Sequence, residues 1–283
     1  MDKKVKTLYV SDLDGTLLNS SSRLSDTTVA CLNTLIKEKG ICFTVATART
    51  PATVTTLMER VGTTLPYIVM AGAAFWDNAR REYSSVRIID NRIIARLLDI
   101  FAGSVINPFI YRRHDSCIYA HHIPHLTENE KVFISERQIP ELKKVVFDNI
   151  ITPNDKDGAM LVMSMGEYVE LRRIADEIDR RGIACTYMCY HDIFDKSQGF
   201  LEIYAQGTTK AAAIKQMAEE INADRTVVFG DNLNDIPMMR IADCSVAVGN
   251  AFDEVKNAAS EVTLTNDEDA VVRWIENDLR LNR

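Results

Sequence analysis

The sequence predicts an α/β fold: a Rossmann-like, three-layer parallel-sheet core into which an α+β domain is inserted. Strand-like and helical segments alternate over the first 70 residues. The same alternation returns after residue 225, whereas the middle of the chain follows another pattern. Strand–helix–strand repeats form parallel sheets with right-handed crossovers, so we expect the two ends of the chain to build one sheet.

The N-terminal elements are predicted from apolar periodicity and from helix start and stop signals. Residues 5–10 are rich in β-forming side chains and predict a buried strand that ends at Ser11 and Asp12. Ser25 is a suitable N-cap for the next helix, and Gly40 ends it. The other predicted elements here are strands at 41–46 and 67–70 and a helix from Thr50 and Pro51 to Gly62.

The C-terminal end of the chain repeats this alternation. Its predicted strands are 226–229, 245–248 and 262–264, and its predicted helices are 235–241, 252–259 and 267–279. We therefore assign residues 1–80 and 197–283 to one core domain.

Residues 81–196 predict the inserted α+β domain, because their strands and helices do not alternate regularly. The predicted elements include helices at 91–101 and 167–181 and strands at 159–165 and 183–190. The polar run 152–158 is expected to be a surface loop.

Composition excludes several classes of partner. The net charge of −7 comes without a basic stripe, so nucleic acid is not expected to bind. No apolar run approaches the roughly 20 residues that cross a membrane, and the N-terminus lacks the apolar stretch of a signal peptide. We therefore expect a cytoplasmic protein, whose oligomeric state stays open.

The six cysteines lie in mostly apolar segments and lack the spacing of a disulfide framework. We expect them to be small apolar residues of the interior. Cys185, Cys189 and His191 could suggest a zinc site, but the segment is a predicted strand and a second ligand pair is missing.

Two carboxylates follow the first strand in the run Asp12-Leu13-Asp14-Gly15-Thr16. In open α/β sheets, ligands bind at the carboxyl ends of the strands. An Asp-x-Asp pair alone is equally typical of a turn that ends a strand.

A second acidic run, Gly230-Asp231-Asn232-Leu233-Asn234-Asp235, follows the predicted strand 226–229. Its acids emerge at the same edge of the sheet as Asp12. Converging carboxylates repel one another unless a cation lies between them, so this pattern predicts a hard cation with oxygen ligands, most naturally Mg²⁺.

Thr47 and Lys210 complete a pattern that suits phosphate. Thr47 ends the second strand and can offer a hydroxyl and backbone amides. Lys210 lies in the first turn of a helix, where a cation is unfavourable unless an anion binds nearby. Taken singly, Thr47 is more typical of a strand-end cap and Lys210 of a solvated surface charge.

Four motifs in this order resemble the haloacid dehalogenase (HAD) superfamily of phosphatases, in particular its Cof-type, subfamily IIB sugar phosphatases with a C2B-type cap. They are DLDGT at Asp12, ATAR with Thr47, GTTK with Lys210 and GDNLND at Asp231. The chain departs from the family pattern at Ala48, where glycine is common, and at Ala71, where asparagine often stands. Both departures concern the shape of the substrate pocket.

The resemblance implies a role for each motif residue. Asp12 would be the nucleophile that forms an aspartyl phosphate, and Asp14 the general acid and base. Magnesium would be held by Asp12, the backbone carbonyl of Asp14 and Asp231, with Asp235 as a further acid. Substrate-binding positions would be Thr47, Ala48, Arg49, Lys210 and Asn234, of which Thr47 and Lys210 would stabilise the transferred phosphoryl group.

The resemblance also implies a substrate class, a small phosphorylated metabolite and most naturally a sugar phosphate. The inserted domain carries polar residues that could contact it: Arg112, Arg113, His114, His121, His122 and His125. A polar hairpin with solvated histidines is the more usual explanation of such residues. A phosphomutase or a disaccharide-phosphate phosphatase shares the motifs, and a non-catalytic phosphate-binding regulatory module is an alternative of another class.

Overall fold

The computed structural model describes residues 5–135, 139, 141–148, 158–192 and 194–281. The strands in this part of the chain are β1 (Thr7–Ser11), β2 (Cys42–Val45), β3 (Tyr67–Val69), β4 (Ala74–Asp77), β5 (Glu82–Val86), β6 (Phe109–His114), β7 (Cys117–His122), β8 (Lys143–Phe147), β9 (Leu161–Glu167), β10 (Cys185–His191), β11 (Gln198–Ala205), β12 (Arg225–Gly230), β13 (Cys244–Ala247) and β14 (Glu261–Val262). The helices are α1 (Asp26–Thr34), α2 (Pro51–Met58), α3 (Asn91–Phe101), α4 (Glu128–Ser135), α5 (Tyr168–Arg180), α6 (Lys210–Glu220), α7 (Ile236–Ile241), α8 (Asp253–Ala258) and α9 (Ala270–Leu281).

The chain divides into two compact units. The first takes the chain up to Ser84 and from Thr209 onwards, and the second takes Ser85–Thr208. The predicted two-part α/β architecture is confirmed.

The first unit contains a parallel sheet with the strand order β14-β13-β12-β1-β2. The two ends of the chain meet at its centre, where Ser11 of β1 lies opposite Phe229 of β12 and Val45 of β2. Because these strands are parallel and in register, the segments after β1, β2 and β12 emerge side by side. This register places the acidic runs at one edge.

Helices cover both faces of this sheet because successive side chains of β1 point to opposite sides. Leu8 and Val10 pack in a core with Ile214 and Met217 of α6. Between them, Tyr9 points the other way and its hydroxyl donates a hydrogen bond to Asp278 of α9 at 2.7 Å. The sheet is therefore the middle of three layers.

The helix signals of the sequence are visible in the first unit. The hydroxyl of Ser25 accepts a hydrogen bond from the Thr28 amide at 2.9 Å and caps α1, as predicted. After α1, a wider turn over Leu35–Lys39 ends at Gly40, whose φ of 65° suits glycine.

The predicted strand 67–70 is one residue too long. Met70 does not continue β3 but begins a short helical turn, Met70–Gly72, with φ values of 51° at Met70 and 54° at Ala71. The short antiparallel strand β4 that follows was not predicted, because the small residues between 71 and 74 carry no period-2 signal.

The second unit is a mainly antiparallel sheet with the strand order β10-β11-β9-β6-β7-β8. Helices α3 and α5 pack on one face through an apolar core that includes Leu97, Ile174 and Leu201. Helix α3 has the predicted limits. The predicted loop 152–158 lies, except for Gly158, outside the described residues.

The predicted inserted domain ends at residue 196, whereas the second unit of the structure ends at Thr208. Strand β11 accounts for this difference. Residues 197–283 are predicted to belong to the core domain, but β11 pairs with β9 and β10 along its length. A strand's sheet depends on which edge it joins, and this information is not local to the strand. Within the described residues, no helix has the length and apolar character that crossing a membrane requires.

Candidate active site

The nucleophile candidate Asp12 stands at the end of β1. Its amide donates to the Phe229 carbonyl at 2.9 Å, which extends the pairing with β12 by one residue. The chain then turns sharply, and Gly15 takes a φ of 76°. This turn returns the following residues to the edge of the sheet beside the loop after β12.

A side chain at Gly15 would displace Asp231 as well as strain the backbone. A Cβ at this position would lie 2.4 Å from Oδ2 of Asp231, well inside contact distance. The adjacent Thr16 hydroxyl donates to Oδ1 of Asp231 at 2.7 Å. Gly15 and Thr16 of the DLDGT run therefore position Asp231. These contacts are not predicted from the sequence, although both residues belong to the motif.

We expect Gly15→Ala to weaken Mg²⁺ binding by about tenfold or more. Changing a residue that positions a metal ligand typically lowers metal affinity by this factor. Gly40→Ala is the matched control, because Gly40 also has positive φ but no atom lies within 4 Å of its added Cβ. Both variants should lose about 1–2 kcal/mol of stability from the backbone conformation. Calorimetric Mg²⁺ titration measures the difference, and equal affinities in the two variants would contradict the prediction.

Lys210 joins two of the predicted acids. Its Nζ lies 2.7 Å from Oδ1 of Asp12 and 2.7 Å from Oδ1 of Asp235. All three side chains are buried. A buried lysine between two carboxylates is an ion-pair network, and removing one member leaves uncompensated charge.

The position of Lys210 follows from the start of α6. The Thr209 hydroxyl caps this helix by accepting from the Ala212 amide at 3.0 Å. Gly72, with a φ of 97°, lies against the Thr209 carbonyl, which a Cβ would approach to 2.3 Å. The turn after β3 therefore packs against the residue that precedes Lys210.

Asp235 is held from both sides. Its Oδ1 accepts from Lys210, and its Oδ2 accepts from the amides of Asp231 and Asn232, each at 3.1 Å. Asp235 thereby fixes the loop after β12 as well as the lysine. Asn234, in the same loop, is exposed.

The charges of this cluster perturb its protonation. Burial, followed by repulsion from Asp235, raises the pKa of Asp12 to about 8, although Lys210 acts in the opposite direction. Burial also raises the pKa of Asp231 to about 6. For Lys210, burial opposes the charge, but Asp12 and Asp235 outweigh it and raise the pKa above its ordinary value.

A magnesium ion fits this donor set. Carboxylate oxygens of Asp12, Asp231 and Asp235 lie within 4.8 Å of one another. Oδ2 of Asp12 and Oδ2 of Asp231 make no hydrogen bond within the described residues, whereas both oxygens of Asp235 are engaged. Hard oxygen donors with surplus negative charge are what Mg²⁺ prefers.

The raised pKa values predict that metal binding is linked to protons. We expect the affinity for Mg²⁺ to rise between about pH 6 and about pH 8, because the metal binds the deprotonated forms of Asp12 and Asp231. Binding should release protons, which calorimetry in buffers of different ionisation enthalpy measures. An affinity that is constant over this range would refute the prediction. Asp12→Asn should remove the upper part of the pH dependence.

Thr47 and Arg49 follow β2. The Thr47 side chain is buried, and its hydroxyl accepts from the Arg49 amide at 3.1 Å. The Thr47 carbonyl accepts a hydrogen bond from the Ala71 amide at 2.9 Å. Ala48, which follows Thr47 in the chain, is half-buried. Thr47 therefore lies at the predicted edge of the sheet, tied to the turn after β3.

Arg49 forms a two-point ion pair with Asp14. Its Nε and Nη2 donate to the two carboxylate oxygens at 2.7 and 2.6 Å. This hydrogen bonding, opposed in part by burial, raises the pKa of Arg49. The sequence predicts that Arg49 and Asp14 lie at the same edge of the sheet, but it does not predict their ion pair.

The polar group of the second unit is divided among different environments. His122 is buried, donates through Nδ1 to the Ile123 carbonyl at 2.7 Å and stacks on Phe109. His121 pairs with Asp148 at 2.6 Å. Arg112 is buried, and the exposed members are Arg113, His114 and His125. These residues therefore differ in burial, and His121 and His122 have different partners.

A family model of haloacid dehalogenase-like hydrolases matches residues 9–275. The chain belongs to the haloacid dehalogenase-like hydrolases. The match spans both units, so it includes the inserted domain as well as the four motifs. The predicted membership of this superfamily, and with it the prediction of a hydrolytic enzyme, is confirmed.

Relatives of this haloacid dehalogenase-like hydrolase include named phosphatases. A 5-amino-6-(5-phospho-D-ribitylamino)uracil phosphatase of Bacillus subtilis is 24% identical and is aligned over 95% of this chain and 96% of its own length. A pyridoxal phosphate phosphatase of Escherichia coli is 23% identical, over 93% of this chain and 95% of its own.

Solved structures share the fold over the whole chain. A haloacid dehalogenase-like hydrolase from Bacteroides thetaiotaomicron has a TM-score of 0.75 at 24% identity, with 97% of this chain and 100% of that one covered. A HAD subclass IIB sugar phosphatase has a TM-score of 0.72 at 21% identity, with 96% and 98% covered. The predicted fold is confirmed.

Proposed function

We propose that this haloacid dehalogenase-like hydrolase is a magnesium-dependent phosphatase of a small phosphorylated metabolite, acting through an aspartyl phosphate. The observation that carries the proposal is the buried Asp12 at the end of β1, whose Oδ1 lies 2.7 Å from Nζ of Lys210 and whose carboxylate lies beside that of Asp231. Phosphoryl transfer requires a nucleophile, a cation and a metal-binding acid close together. Asp12, Lys210 and Asp231 provide these three groups.

In the first half of the reaction, a carboxylate oxygen of Asp12 attacks phosphorus. The bond from phosphorus to the ester oxygen breaks, and the leaving oxygen takes its proton from the Asp14 carboxyl group. In the second half, Asp14 accepts a proton from water as the water oxygen attacks the same phosphorus. The bond between Asp12 and phosphorus then breaks, which yields inorganic phosphate and restores Asp12.

Magnesium would be held by Asp12, Asp231 and the backbone carbonyl of Asp14. It would supply positive charge to the phosphoryl oxygens and screen the nucleophile from them. Asp235, whose oxygens are both engaged, would act as a further acid that positions Lys210 and the Asp231 loop.

The remaining predicted residues would bind the phosphoryl group and its ester. Lys210 and the Thr47 hydroxyl would stabilise charge on the phosphoryl oxygens. Arg49 and the backbone at Ala48 would bind on the side of β2, and Asn234 on the side of β12. A sugar phosphate is the proposed substrate class, and the subclass IIB sugar phosphatase with the same fold supports it.

A phosphate-release screen tests the proposal. Hexose, pentose, polyol, nucleotide and cofactor phosphates are incubated with the protein in Mg²⁺ and in EDTA. We expect release of inorganic phosphate only with the metal, and most rapid release from phosphorylated sugars or polyols. A product that is an isomeric phosphate ester without inorganic phosphate would indicate a mutase. Activity that is undiminished in EDTA would refute the metal requirement.

The covalent intermediate has a direct test. Borohydride reduction of a rapidly quenched reaction converts an aspartyl phosphate to homoserine, which mass spectrometry locates in the peptide that contains position 12. We expect the conversion at position 12 and not at position 14. Quenched samples with unmodified position 12, under conditions of rapid turnover, would favour direct attack by water.

A further inference from the structure

Arg49 and Asp14 face each other through a complete two-point contact. Both oxygens of the Asp14 carboxylate accept from the guanidinium, at 2.7 and 2.6 Å. The two side chains are 29% and 48% exposed, so neither is sealed in the interior. Each oxygen of the Asp14 carboxylate is thereby engaged by Arg49.

The backbone of Arg49 is held by hydrogen bonds to two other residues, whereas its side chain is partly exposed. Its amide donates to the Thr47 hydroxyl at 3.1 Å, and its carbonyl accepts from the Met70 amide at 3.0 Å. The turn at Met70 and Ala71 that provides this second contact has positive φ at both residues. Rearrangement of Arg49 is therefore confined to its side chain.

The guanidinium has further donors that Asp14 does not use. Arginine carries five N–H groups, and the carboxylate occupies two of them. Within the described residues, Nη1 has no hydrogen-bond partner. Arg49 also lies within electrostatic reach of Asp12, the site of phosphoryl transfer in the proposed function. A phosphate dianion arriving there carries more charge than the carboxylate and matches the same fork.

We propose that Arg49 is a positioning residue that exchanges partners during the reaction. Without substrate it holds the Asp14 carboxylate in place through both oxygens, and with substrate it turns to the phosphoryl oxygens. The Asp14 carboxylate, left in position, takes up a proton from solvent and gives it to the leaving oxygen. Asp14 thereby becomes available for proton transfer when a phosphate ester is bound. This inference rests on the proposed function, in which Asp14 is the acid.

Kinetics of single and double variants test the exchange. Arg49→Met and Arg49→Lys are each made in the wild type and in the Asp14→Asn background. Each protein is assayed on an alkyl phosphate identified by the screen and on p-nitrophenyl phosphate, whose leaving group needs little protonation. Circular dichroism and thermal unfolding confirm folding, and Arg49→Lys serves if the methionine variant does not fold.

We expect Arg49→Met to raise KM for both esters by about tenfold or more, because a charged hydrogen bond to phosphate is lost. Its kcat should fall about tenfold further on the alkyl ester than on the aryl ester, because Asp14 is no longer held in position when the substrate arrives. Arg49→Lys should restore much of KM but not the alkyl-specific kcat. In the Asp14→Asn background, the alkyl-specific loss should vanish.

Two results would overturn the exchange. One is an equal loss of kcat on both esters, and the other is an alkyl-specific loss that persists in the Asp14→Asn background. An unchanged KM in Arg49→Met would exclude the contact with phosphate. Failure of the proposed function is a different result, since the wild type would then release no phosphate from either ester.

Discussion

Asp12→Asn is expected to lower kcat/KM for every phosphate ester by at least about 10⁴-fold, since removal of a covalent nucleophile costs this much or more. The amide keeps the size of the side chain but cannot form the acyl phosphate. It also removes the negative charge that pairs with Lys210 and that the proposed metal would require at this position. Phosphate release under saturating Mg²⁺ measures the effect.

Asp26→Asn provides the control for this substitution. This variant makes the same carboxylate-to-amide change on the surface, where Asp26 forms an exposed pair with Arg60. It should leave activity unchanged. Residual activity of Asp12→Asn above a hundredth of the wild type would assign the nucleophile elsewhere. Thermal unfolding of both variants distinguishes loss of chemistry from loss of fold.

Lys210→Met is expected to lower both activity and stability. Its Nζ is the shared partner of two buried carboxylates, so its loss leaves Asp12 and Asp235 repelling each other. Breaking a buried ion pair typically costs about 3–5 kcal/mol in the free energy of unfolding. We expect a loss of this size in EDTA and a partial recovery in Mg²⁺, because the metal supplies replacement charge. The missing contact with the phosphoryl group should keep activity low even with the metal.

Denaturant unfolding with and without Mg²⁺ measures both parts of this prediction. Lys215→Met is the matched control, because Lys215 lies on the same helix and is exposed. It should change stability by less than about 0.5 kcal/mol. A Lys210→Met protein as stable in EDTA as this control would show that the buried carboxylates do not need the lysine.

Local signals were sufficient for much of the fold. The limits of α3, the Ser25 cap and the stop at Gly40 depend on neighbouring residues in the chain, and they could be predicted from spacing and residue type. The turn at Met70 could not. Its positive φ depends on hydrogen bonds to Thr47 and Arg49, more than twenty residues earlier.

By itself, the sequence determined the chemical groups and the edge of the sheet where they emerge. Asp12, Thr47 and Asp231 follow predicted parallel strands, and parallel strands place their carboxyl ends together whatever else the chain does. The strand pairing β12-β1-β2 agrees with this expectation.

Only the tertiary structure decided which of these groups contact one another. Lys210 lies between Asp12 and Asp235, and Arg49 binds both oxygens of Asp14. Strand β11 likewise joined the inserted unit rather than the core, because β9 and β10 provide its pairing edges. Such contacts join residues far apart in the chain, so their geometry is set by packing and charge compensation rather than by local spacing.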